Sequence, residues 1–204
     1  KVSREKAFKL GKKFEYLGNH FHKKLKVVLT KGEEPIGHGI GPALEMIDII
    51  KVLKHSEDKP ADLEKKSLFL AGEIFEMTGK AKKGEGINLA KQILCSGKAF
   101  EKFDEIIKAQ GGKLDGIRVA KFKKDILIKK EGKITEFDNK KINSLARVAG
   151  CPMDKSAGLY LYHHVGDKLK KGEKILTIYS ESKARLKEAE DFFLNQKPIK
   201  IQNN

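Results

Sequence analysis

The chain has no tryptophan, only two cysteines and five prolines in 204 residues, and no long apolar run. Cys95 and Cys151 match neither a metal-ligand spacing nor a disulfide framework, so a reducing cytoplasm is the expected home. The longest apolar runs, such as Leu68–Ala71, fall far short of the ~20 residues a membrane span requires, and no membrane partner is expected. An aromatic content of 7% leaves few platforms on which bases could stack. Also missing is a recognisable beginning. The chain opens Lys1-Val2-Ser3-Arg4-Glu5 without initiator Met, signal peptide or transit-like segment, and we expect a piece of a longer protein.

What is present is a solvated globular composition, 39% hydrophobic and 35% charged, at a length that suits one or two domains with a real core. The formal net charge of +15 invites a nucleic-acid reading, since clustered cations release counterions on meeting phosphates. The distribution argues against it. The basic residues are nearly all Lys and are interleaved with Glu, as in Glu64-Lys65-Lys66 and Lys82-Lys83-Gly84-Glu85. No zinc finger or RNP-like motif accompanies them, so no nucleic-acid partner is expected. A surface rich in Lys and Glu, with few Cys and Met, also suits a thermophile.

Periodicity divides the chain in two. Residues 3–22 read as a helix capped by Ser3, with Ala7, Leu10, Phe14, Leu17 and Phe21 on one face. Leu25–Thr30 reads as a strand. A glycine-rich loop over 32–41 leads to a helix over 42–54 that has Pro42 at its start and apolar residues nearly all round. Further helices are expected over 60–78, 87–95 and 98–110. After Gly111-Gly112 the pattern changes to a hairpin around Glu131-Gly132, a helix over 139–149, strands over 159–163 and 174–179, and a helix over 182–194. Pro198 and a polar tail follow. The expected boundary therefore separates residues 1–113 from 114–204.

Local chemistry is sparse. The loop's glycines and the following helix N-terminus could cradle an anion, but the match to a dinucleotide fingerprint is poor and Pro42 removes a donor, so a tightly packed turn is favoured. His38, His55, His163 and His164 have no partner at ligand spacing, and His20 and His22 cannot share a helix face. Neither cysteine has an assignable base, and Cys151 reads as a small buried hydrophobe.

Three stretches go further. Glu34-Pro35-Ile36-Gly37-His38-Gly39-Ile40-Gly41-Pro42-Ala43-Leu44-Glu45 resembles a signature of the thymidine/pyrimidine-nucleoside phosphorylase family. Archaeal members, the AMP phosphorylases, have Gly-Pro there where bacterial members usually have Gly-Asn. Ser96-Gly97-Lys98-Ala99 through Gln110-Gly111-Gly112 is similar to a second family segment. Ile142–Gly150, Ala157-Gly158-Leu159, Gly166-Asp167, Gly172 and Ile178–Ser182 resemble the family's C-terminal domain.

The resemblance implies an α/β protein: the C-terminal helical and strand part of a phosphorylase α/β domain, then a small α+β domain like a barrel-sandwich hybrid. It implies a pentosyltransferase that cleaves AMP, with CMP and UMP as further substrates, using inorganic phosphate as co-substrate and no cofactor. The alternatives are a thymidine or pyrimidine-nucleoside phosphorylase, or a non-enzymatic binding or assembly module sharing the C-terminal architecture. The family's phosphate loop, acid Asp and Ser-x-x-x-Lys segment have no match here, so no catalytic residue is assigned and the chain alone is expected to be inactive. Lys1 matches a substrate-binding lysine of the archaeal enzymes, with a frayed terminal Lys as the plain alternative. Ile36, Gly39 and Asp48 correspond to positions at which bacterial relatives hold a monovalent cation, but Asp replaces the usual Glu, and no metal is assigned. A homo-oligomer completed by a missing N-terminal half is expected.

Overall fold

The computed structural model describes residues 3–203. In chain order it contains α1 (Arg4–His20), β1 (Gly39–Ile40), α2 (Pro42–Leu53), α3 (Ala61–Met77), α4 (Gly86–Cys95) and α5 (Lys98–Ala109). There follow β2 (Phe122–Leu127), β3 (Gly132–Phe137), α6 (Asn139–Ala149), β4 (Gly158–Leu161), β5 (Lys168–Leu169), β6 (Lys174–Ser180), α7 (Lys183–Gln196) and β7 (Ile199–Asn203). The mixture of helices with two small antiparallel sheets is the α/β class expected. Chain contacts group residues up to 32 with 67–91 in one unit, and 33–66 with everything from 92 onward in another. These seams differ from a cut at 113/114 because β1 and α2 are stitched to β4.

In the first unit, Ser3 caps α1 by accepting from the Lys6 amide at 3.3 Å, with Glu5 in the first turn. Gly11 and Gly18 lie seven residues apart, hence on one face, and both are buried. A Cβ on Gly11 would stand 2.8 Å from Cγ1 of Val27, and one on Gly18 would stand 3.0 Å from Cβ of Leu25. The chain after α1 thus folds back along a glycine seam. Residues 25–30 are nevertheless not the strand expected of them. A β-branched run becomes a strand only when a neighbour completes its ladder, and among the described residues none does. The apolar stripe of α1 stays open, with Phe14, Leu17 and Phe21 at 49%, 46% and 62% exposure.

The second unit holds both sheets. One has the order β1-β4-β6-β2 and the other β5-β3-β7, and every pairing is antiparallel. The hairpin expected around Glu131-Gly132 does not form, because β2 pairs with β6 while β3 pairs with β5 and β7. The turn instead carries the chain from one sheet to the other. Ile128 anchors the near side by donating its N–H to Glu173 and accepting from the Gly172 N–H. On the far side β7 passes so close that a Cβ on Gly132 would lie 2.6 Å from the Gln202 carbonyl oxygen. The polar tail expected after Pro198 is itself a strand, β7, in which Ile199 and Ile201 alternate with Lys200 and Gln202.

In the core of this unit Ile134, Leu145, Leu159, Leu161, Leu176 and Ile178 are fully buried, and α6 and α7 pack there. Burying each such side chain contributes about 1.5–3 kcal/mol. Asp138 caps α6 by accepting from the Lys140 and Lys141 amides at 3.1 Å, and Ser182 caps α7.

Candidate functional site

The glycine-rich loop, α2 and β4 meet in the second unit, where the loop's backbone donors are already occupied. Gly37 N–H donates to Oδ2 of Asp62 at 2.9 Å, and Gly41 N–H to Oε1 of Glu45 at 3.1 Å. The amides of His38 and Gly39 both donate to Oδ2 of Asp48, each at 2.7 Å. An anion cradle has formed, and the protein's own carboxylates fill it. This is the tightly packed turn expected from the spacing.

Glycine is needed here for two reasons. Gly37 and Gly41 have φ of +73° and +118°, and a Cβ on Gly39 would lie 2.4 Å from the backbone carbonyl of Leu44. The close approach lets Gly39–Ile40 pair with Leu159–Tyr160, and the His38 carbonyl accepts from the Leu161 N–H at 2.8 Å.

Around this clamp lies a ring of polar side chains. Asp48 is only 1% exposed, although it sits in the apolar helix α2. Its Oδ1 and the Nδ1 of His38 are buried with no hydrogen-bond partner among the described residues. The His38 ring centroid lies 5.5 Å from those of Tyr160 and His164, and Tyr160 meets Tyr162 edge-on at 5.0 Å. Oε2 of Glu34 accepts from the Val165 amide at 2.8 Å and lies 3.3 Å from Nδ1 of His164.

Lys51 Nζ stands 6.0 Å from the Tyr160 ring centroid and 2.6 Å from Asp58. Burial alone would pull the Lys51 ammonium down, but Asp58, with Tyr160 and Asp48 behind it, leaves it raised. Burial pushes the Tyr160 phenol up. Further along the sheet the Tyr162 hydroxyl lies 3.0 Å from Oγ1 of Thr177, which donates to Asp125 at 2.7 Å. The Lys174 ammonium, followed by Thr177, holds the Asp125 carboxyl below its ordinary range.

Of the residues singled out in the sequence, Gly39 and Asp48 are brought together, with Ile36 three residues before Gly39. Two amide hydrogens point at Oδ2 of Asp48, while its Oδ1 stays buried without a hydrogen-bond partner among the described residues. Among the described residues no group of three or more His, Cys, Asp or Glu is placed to hold a metal. Lys1 lies outside the described residues. His20 and His22 are exposed, while His55 lies 3.3 Å from Glu64 and His163 lies 3.8 Å from Asp167. Cys95 is exposed. Cys151 is half-buried, donates to the Ala157 carbonyl at 2.8 Å, and has its thiol pushed up to about 11 by burial, with Glu45 and Asp154 adding to the shift.

Sequence reasoning missed the 130-residue link between Glu34 and His164 and the tilted contact of the His38 and Tyr160 rings. The one available signal was a lone Asp at position 48 amid Ile47, Ile49 and Ile50.

Comparison with known proteins finds relatives along the chain. Residues 133–200 match the family described as the pyrimidine nucleoside phosphorylase C-terminal domain. Along nearly its whole length the chain is also similar to longer proteins. An AMP phosphorylase of Methanocaldococcus jannaschii is 42% identical over 201 residues, which is 97% of this chain and 40% of that protein. An AMP phosphorylase of Methanococcus maripaludis (strain C5) is 42% identical over 197 residues, 95% of this chain and 39% of the relative. A Legionella pneumophila (strain Corby) protein named "Putative thymidine phosphorylase" is 42% identical over 195 residues, 96% of this chain and 38% of the relative. The chain thus spans about two fifths of the length of these curated relatives. No helix among the described residues is long and apolar enough to cross a membrane.

Proposed function

We propose that this chain is the C-terminal portion of a nucleotide phosphorylase that cleaves AMP, and by extension CMP and UMP. An oxygen of inorganic phosphate bonds to C1′ of the ribose as the C1′–N9 bond breaks. The base nitrogen takes a proton, and the products are adenine and ribose 1,5-bisphosphate. The observation that carries this reading is the collinear likeness to AMP phosphorylases, 42% identical over 201 residues, joined to the Gly41-Pro42 pair of the clamp loop. No cofactor enters the reaction.

In this reading the catalytic acid and the phosphate ligands lie in the part of the enzyme that the chain does not span. Lys1 contributes an ammonium to the nucleotide as a point charge or hydrogen-bond donor. The clamp is the chain's own contribution. It fixes the start of α2 and the glycine-rich loop to the small domain, so that whatever the loop borders is held in one geometry. The working enzyme is a cytoplasmic homo-oligomer.

The second reading, a thymidine or pyrimidine-nucleoside phosphorylase, is supported by the Legionella relative at the same identity. Assay of the complete enzyme separates the two. Phosphate-dependent release of adenine from AMP, with thymidine inert, supports the nucleotide reading, and the reverse preference overturns it. The 204-residue chain by itself should release no base from AMP. Turnover by it at the rate of the complete enzyme would contradict the assignment of catalysis to absent groups.

A further inference from the structure

Away from the clamp, in the second unit, the edges of β2 and β7 border one open groove of about 1140 Å³. Its walls are unusual in one respect. A strand that presents a face lines a groove with alternate residues, whereas here consecutive residues do so: Ile126 and Leu127 at the end of β2 with the bend 128–130 after it on one side, and 199–202 of β7 on the other. Both strands end their sheets, β2 pairing only with β6 and β7 only with β3 among the described residues. Ile128 directs its N–H and its C=O toward the β6 side. By strand alternation Leu127, the last residue of β2, turns its N–H and C=O toward the groove, and Lys129 and Lys130 follow in a bend past the strand end.

The floor is aliphatic, with Ile126, Ile128, Ile175 and Ile199 all buried. Leu127 and Leu194 at its mouth are 50% and 46% exposed. The charged residues lining the groove are all lysines, and no carboxylate lines it among the described residues. Lys200 is paired with Glu136, and Lys141 donates to the Gln196 carbonyl. Lys129, Lys130 and Lys197 have no ion pair among the described residues.

We infer that this groove is a docking site for an extended acidic peptide segment of a partner protein. The segment would add to the open β2 edge while alternate side chains enter the aliphatic floor and meet the lysine rim. Three observations select this occupant. The volume exceeds the ~300–1000 Å³ of ordinary small-ligand pockets, and backbone edges form the walls. A second copy of a chain of net charge +15 would bring lysine to lysine, the arrangement by which sheet edges avoid self-pairing. The missing countercharge at Lys129, Lys130 and Lys197 asks for carboxylates. The inference is independent of the phosphorolysis reading.

The test is a titration of the isotopically labelled 204-residue chain with a short peptide alternating Glu and Val, followed by amide chemical shifts. We expect shifts confined to 126–130 and 199–202, slowed hydrogen exchange at Leu127, and weaker binding as salt rises. Reversing the rim in a K129E/K130E/K197E variant should weaken binding about tenfold or more. Replacing every second residue of the peptide by Pro, which removes its N–H donors, should abolish it. The inference is overturned if a Lys-Val peptide binds as well, if the shifts fall elsewhere, or if no peptide binds. It is also overturned if the groove closes on a second copy, seen as concentration-dependent dimerisation with the same shifts, or if laurate alone produces them.

Discussion

The Asp48 carboxylate and the Gly39 amide meet at 2.7 Å inside the second unit, and the same oxygen takes the His38 amide at 2.7 Å. One side chain nine residues along thereby fixes the loop that β4 then extends into a sheet. A carboxylate this buried persists because it has two hydrogen bonds, each strengthened by its charge.

Replacing Asp48 by Ala should therefore destabilise the chain more than an ordinary polar deletion. Two buried amides would lose their acceptor at about 1–3 kcal/mol each. Asp48→Asn keeps an oxygen for the amides and should cost clearly less. Thermal unfolding of both variants is the check, and equal melting temperatures for Asn and Ala would contradict the role given to the carboxylate oxygen.

Gly39→Ala should disrupt the same clamp from the other side. Its Cβ would stand 2.4 Å from the carbonyl carbon and oxygen of Leu44, which is helix backbone and cannot rotate away. Gly79→Ala is a matched control, since nothing lies within 4 Å of its Cβ and its φ of +74° adds only local strain. The Gly39 variant should lose amide protection at Leu159 and Leu161, while the Gly79 variant retains it.

Much of this architecture was legible in the sequence. Ser3 and the start at Ser182 marked helix beginnings, Pro42 opened α2, and the run over 174–179 is the buried strand expected of it. What failed has a common cause. Residues 25–30 have strand composition but no ladder, and the turn at Glu131-Gly132 looks like a hairpin yet passes between sheets. Strand pairing depends on which distant segment arrives, and local pattern does not encode that. The clamp was half legible. The glycines marked a tight loop, but the carboxylates that fill it come from Glu45, Asp48 and Asp62, and only side-chain geometry shows which amide each one takes.

The two cysteines should label very differently. Cys151 has its thiol pushed up to about 11 by burial and donates to the Ala157 carbonyl, so little thiolate exists near neutral pH. Cys95 is exposed. Iodoacetamide near pH 8 should modify Cys95 rapidly and Cys151 only after unfolding. Peptide mass mapping that finds both modified at similar rates in the folded chain would contradict the burial of Cys151.

Asp125 should contribute an acid-sensitive part of the stability. Lys174, then Thr177, holds its folded pKa below the unfolded value of about 3.9. A depressed folded pKa means stabilisation that is fully present above the unfolded pKa and is lost as pH falls through the folded one. Stability curves of the native chain and Asp125→Asn should therefore differ most near neutrality and converge below about pH 4. Parallel curves across that range would remove Asp125 from the acid response.

The last expectation concerns residues 114–204, proposed above on sequence grounds as a separate domain. All the fully buried members of the main core, from Ile134 to Ile178, lie within them, together with α6, α7 and six of the seven strands. Residues 110–121 contain no helix or strand and are mostly exposed, so they present backbone to a protease. Expressed alone, 114–204 should fold cooperatively. It should nevertheless melt lower than the full chain, because losing β1 and α2 uncovers the outer edge of β4 and the Gly158 face against which Leu44 lies. Amide exchange should accelerate along β4 and hold along β6. A fragment with no cooperative transition would show that the segment from Glu33 to Lys66 is an obligatory part of this fold, as the contact grouping of the second unit would then require.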